Sequence, residues 1–170
     1  MLHSVRRFVW LALLLGFVVS TSGQGQQSPS AAQLRLVGLD GTERVLTAKD
    51  WAQLPRTAVE AKDHGGVVVN FEGVPAREIL KLVDAPLGPE LRAAKLALYV
   101  VAEAADGYKV VYALPEFDAA FTDGLILIAD RKNGQALPPQ EGPLRVVVPW
   151  EKRPARWVRQ LTALRLEQAP

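Results

Sequence analysis

The chain has 170 residues, 49% of them hydrophobic and 22% charged, a balance that suits one globular domain with a real core and excludes a disordered polar chain. It has no cysteine, which excludes a disulfide framework, a thiolate nucleophile, a cysteine metal ligand and a redox-active thiol pair. The formal charge of +2 comes from Arg6 and Arg7; without residues 1–23, the 20 Lys and Arg fall by two to 18, matching the 18 Asp and Glu. That neutrality removes the support for a nucleic-acid or membrane-surface role.

The opening "MLHSVRRFVWLALLLGFVVSTSGQ" places two arginines before an apolar run from Phe8 to Val19, followed by small residues. This is the form of a secretory signal, and the run is shorter than the roughly 20 residues a spanning helix needs. The expectation is an exported protein, periplasmic or secreted, with cleavage near Gly23 and no membrane span afterwards. Residues 24–33 read as a flexible polar leader.

"LRLVGLDGTERVLT" predicts two short strands around an Asp40-Gly41 turn, and Thr47 caps a helix over about 48–54 that stops before Pro55. "RTAVEA" and "VVVNFEG" form a second strand pair across Asp63-His64-Gly65-Gly66. A helix follows over about 75–84, with Pro75 at its start and Ile79, Leu80 and Val83 on one face. Apolar runs at 95–103, 109–114, 125–130 and 143–149, separated by turns such as Ala105-Asp106-Gly107 and Asn133-Gly134, predict four strands of one sheet. "PEFDAAF" gives a single helical turn, "LPPQEGP" a rigid loop, and the tail ends as a strand through Leu164 and Leu166. The pattern is α+β, with a mixed, mostly antiparallel sheet and short helices.

Few residues invite catalysis. His3 leaves with the signal, and His64 alone builds neither a usual zinc site nor, without a G-x-S-x-G setting, a triad. Asp118, Asp123 and Asp130 have no separation fixed by sequence and support no hydrolase reading. Charge is uneven, however. Residues 24–130 carry 10 basic and 15 acidic groups, net −5, whereas 131–170 carry 8 and 3, net +5. The basic groups gather in "EGPLRVVVPWEKRPARWVRQ", where Val146 to Val148 should be buried strand and Pro149 and Pro154 should hold the next loop off the ladder. Trp150 and Trp157 are expected to pack.

"FEGVPAREILKLV", "AADGYKVVYAL", "LIADRKNGQALPPQEGPLRVVVP" and "KRPARWV" occur in an order that resembles the molybdopterin-binding domain of the sulfite oxidase-type oxidoreductases. The resemblance implies that family's fold as a single domain over 34–168. It also implies ligand-binding candidates: Arg145 matches the arginine of the P-L-R step, and Lys152, Arg153, Arg156 and Trp157 fall on the family's basic, pterin-phosphate-binding loop. Family enzymes hold molybdenum through a cysteine, absent here, and the family's histidine before the G-x-P step is Glu141. Two readings of the basic groups stand: an anion pocket, or salt bridges to the acidic first half. The expectation is an exported, non-catalytic domain on this scaffold, binding a small pterin-phosphate-like anion or a protein partner, with no catalytic or metal-ligating residue and no cofactor. Molybdopterin enters by resemblance only. The alternative is a molybdopterin-dependent oxidoreductase, or its subunit, with a non-cysteine metal ligand.

Overall fold

In a computed structural model, residues 33–170 are described; the expected signal segment and all but the last leader residue lie outside them. The strands are β1 (Leu34–Val37), β2 (Glu43–Leu46), β3 (Thr57–Lys62), β4 (Val68–Pro75), β5 (Leu98–Ala104), β6 (Lys109–Ala113), β7 (Leu127–Lys132), β8 (Gln135–Ala136), β9 (Arg145–Val147) and β10 (Leu161–Gln168). Two short α-helices, α1 (Ala48–Gln53) and α2 (Ala76–Leu80), accompany them. None of the described helices is long and apolar enough to cross a membrane.

The expected single sheet is corrected to two. One has the order β2-β1-β10-β5-β6; the other runs β3-β4-β7-β8, with β9 also paired to β7. The strands foreseen at 95–103 and 109–114 belong to the first, those at 125–130 and 143–149 to the second. Apolar runs bounded by turns reveal strands but not partners, and the segment from Leu114 to Ile126 carries the chain from one sheet to the other. All pairs are antiparallel except β1 with β10.

Local chemistry explains the elements. Thr47 and Asp50 form a reciprocal capping box on α1. The predicted helix at 75–84 is α-helical only to Leu80; a 3-10 turn, Lys81–Val83, follows and ends where Asp84 enters the left-handed region at φ 51°. The strand expected from 95 begins at Leu98, because Ala93–Ala97 form a 3-10 segment. Buried and half-exposed residues alternate along β5, so one face of it enters the core. Gly73 stands at a register shift between β4 and β7, where a Cβ would lie 2.0 Å from the Ile128 carbonyl oxygen. Only glycine permits that approach.

The core joins both sheets: Leu34, Leu36, Val100, Tyr112, Phe71, Val74, Leu127 and Ile128 are at most 1% exposed. Val146 to Val148 are buried as expected. Beyond β9 the sheets are stitched irregularly, the Val146 amide donating to Val158 and the Leu161 amide to Leu144.

Candidate functional site

Arg145 opens β9 opposite Ala129 of β7, and its side chain is 0% exposed. A buried guanidinium needs counter-charge, and two elements deliver it. Glu141, on the loop before β9, accepts from Arg145 Nη1. Asp63, in the turn between β3 and β4, lies 3.7 Å from the same nitrogen. Lys132, at the end of β7, bonds Asp63 and approaches Glu141 at 3.4 Å. The Arg145 guanidinium carbon is 5.1 Å from the Phe71 ring centroid and 5.6 Å from that of Trp157, so aromatic faces complete the enclosure.

The electrostatics follow from this enclosure. Burial pulls the Arg145 pKa down, against the opposing pull of Glu141 and Asp63. Burial alone would raise that of Asp63. The Lys132 hydrogen bond, the His64 amide and the charges of Arg145 and Lys132 outweigh it and hold Asp63 below the ordinary range. Among the described residues, Arg145 Nε and Nη2 and the buried Trp157 Nε1 have no hydrogen-bond partner.

Arg156 turns the other way. Its Nε donates to Glu151 at 2.6 Å, its Nη2 to Glu116 at 2.8 Å, and its guanidinium lies 4.6 Å from the Tyr112 ring centroid. The Glu116 and Glu151 bonds raise its pKa despite partial burial, the Glu116 bond most. Trp157 is 3% exposed beneath this loop, as foreseen, but Trp150 is 44% exposed, a correction to its expected packing; its ring lies over Gly124, where a Cβ would come within 2.8 Å. Lys152 and Arg153 are exposed. The five candidates are thus divided: Arg145 and Trp157 inside, Arg156 clamped at the surface, Lys152 and Arg153 in solvent. Lys152 lines a shallow groove with Lys62, Asp63 and His64, and a neighbouring recess is lined by His64, Trp157, Arg159 and Gln160.

The acids that matter were not among the candidates. Glu141 was visible as a departure from the family pattern, but Asp63, Glu116 and Glu151 become partners only through tertiary structure. Asp130 and Asp118 have structural duties: Asp130 accepts from Trp51 and, in a fork, from Arg56, and the buried Asp118 accepts from the amides of Gly88 and Ala120.

The model of the oxidoreductase molybdopterin binding domain matches residues 23–170. The chain belongs to this family. Among solved structures it is similar to the sulfane dehydrogenase SoxCD from Paracoccus pantotrophus, at TM-score 0.60 and 20% identity over 81% of this chain and 38% of that one. At that identity the likeness is one of fold, and the chain spans well under half of the SoxCD chain. No curated protein matches.

The residues present do not fit a molybdopterin at these arginines. Arg145 offers no exposed donor, and the Arg156 nitrogens are taken by Glu116, Glu151 and the Val111 carbonyl. The sequence supplies no thiolate, and among the described residues no group of three or more His, Asp or Glu could hold a metal.

Proposed function

We propose that this chain is an exported, non-redox member of the molybdopterin-binding domain family that uses the scaffold as a binding module. The observation that carries the reading is the burial of Arg145 against Glu141 and Asp63, which turns the scaffold's inner cation toward carboxylates of the chain itself. Binding then falls to the exposed cations Lys152 and Arg153, with Arg159 beside His64. These suit a small anion or an acidic segment of a protein partner, since exposed guanidinium and ammonium groups meet phosphate and carboxylate without first breaking an internal pair. Export is supported by the tripartite opening of the sequence.

The test is one preparation: full-length protein expressed in a host that makes the cofactor, recovered from the envelope fraction, and analysed for intact mass and molybdenum. The expected result is a chain beginning between Ser22 and Ser28 with no stoichiometric metal. One molybdenum per chain would establish the oxidoreductase alternative, and a mass starting at Met1 would refute export.

A further inference from the structure

We propose that Glu141 is a built-in counter-anion. Its carboxylate occupies, from within the chain, a buried anion site on Arg145 and closes that site to ligands from outside. The idea rests on the binding-module reading above and deepens it, because it names the residue that moves binding from the interior to the rim.

The two cations in the site, Arg145 and Lys132, are matched one for one only with Glu141 in place. Arg145 and Lys132 face Asp63 and Glu141, and the positive charge of Arg159 also acts on Arg145. Phe71 and Trp157 supply ring faces and no acceptor. The site is also rich in donors. Arg145 Nε and Nη2 and Trp157 Nε1 are buried without partners among the described residues, so the pocket presents more N–H groups than its two carboxylates use. An ion pair built for stability alone gains nothing from stranded donors, each of which bears its full desolvation cost. An anion site with one internal occupant accounts for both the excess of donors and the complete burial of the guanidinium.

Removing the occupant should reopen the site. Glu141→Ala deletes a CH2–COO− unit, the size and charge of acetate, and leaves Lys132 and Arg145 against Asp63 alone. The experiment is thermal unfolding of wild type, E141A, E141Q and E141A/R145M in acetate, formate or phosphate, with chloride at equal ionic strength as control. E141A should lose about 5–10 °C in Tm and regain it saturably with acetate. Wild type and the double variant should show only the smaller response that the exposed rim cations, unchanged in all four proteins, supply. E141Q, which keeps the volume and loses the charge, should be destabilised without rescue, since no void is left to fill. If E141A does not fold alone, refolding yield with and without acetate is the readout. Recovery supports the proposal, and failure of acetate, formate and phosphate alike overturns it. An anion response of wild type equal to that of E141A also overturns it, because the site would already be open. These results stand apart from the metal assay: molybdenum in the wild type would refute the binding-module reading, whereas absent rescue refutes only the counter-anion.

Discussion

Replacing Arg156 by Gln separates a clamp from a ligand site. The guanidinium makes two charge-assisted bonds, to Glu151 at 2.6 Å and Glu116 at 2.8 Å, and covers the Tyr112 ring at 4.6 Å. In a sealed site each such bond contributes ~1.5–3 kcal/mol. The Arg156 side chain is 36% exposed, and solvent screening draws the sum toward the ~1 kcal/mol or less of a surface pair. Glu151, whose side chain is 13% exposed, would meanwhile lose its cation and become a poorly solvated lone charge. The balance gives a loss of about 2 kcal/mol, a fall in Tm of ~6–8 °C for a domain of this size. Urea and thermal unfolding of R156Q beside R153Q provide the assay, because Arg153 is exposed and R153Q should sit within error of wild type. A double-mutant cycle with Glu116→Gln would then assign the coupling to that pair. R156Q as stable as R153Q would refute the clamp and return Arg156 to the pool of free anion ligands.

Two further outcomes are expected. Asp63 titrates below its ordinary value of 3.8 in the folded chain, so the unfolded chain takes up its proton first; its contribution is complete above that pH and is lost as pH falls through the folded value. Asp63→Asn should therefore lower stability at neutral pH and flatten the decline below 3.8, followed by urea midpoints against pH; an unchanged slope would refute this. Gly73→Ala would drive a Cβ to 2.0 Å from the Ile128 carbonyl and 2.6 Å from the Ala129 Cα, backbone that cannot yield cheaply. A loss of about 3 kcal/mol or more in urea unfolding is expected, and a near-neutral result would show that β4 and β7 can part at that point.

Local features were readable because local chemistry sets them. The Asp-Gly and Asn-Gly turns, the Thr47 cap and the buried Val146–Val148 run all depend on neighbours within a few residues. The family was readable from four short motifs in order, one of them explained by the close approach at Gly73. Partnership was not readable. No periodicity places β6 and β7 in different sheets, or the final strand between β1 and β5, since those choices depend on contacts across the whole chain. The site divides the same way. Arg145 and Trp157 stood out by motif, but Asp63 comes from a turn whose sequence looks like any solvated loop, and only the pairing of β3, β4 and β7 carries it to the buried guanidinium. Trp150 misled because aromatic residues usually pack in cores; here a glycine offers its backbone as the surface to lie on.

The position of β10 has a consequence for the life of the chain before it is folded. It follows every other described strand of its sheet in chain order, yet it lies in the middle of that sheet, hydrogen-bonded to β1 on one side and β5 on the other. The β1–β2 and β5–β6 pairs each keep one edge, on β1 and on β5, unsatisfied until residues 161–168 have left the ribosome. Removing Leu161–Gln168 would leave two half-sheets with nothing between them, rather than a shortened domain.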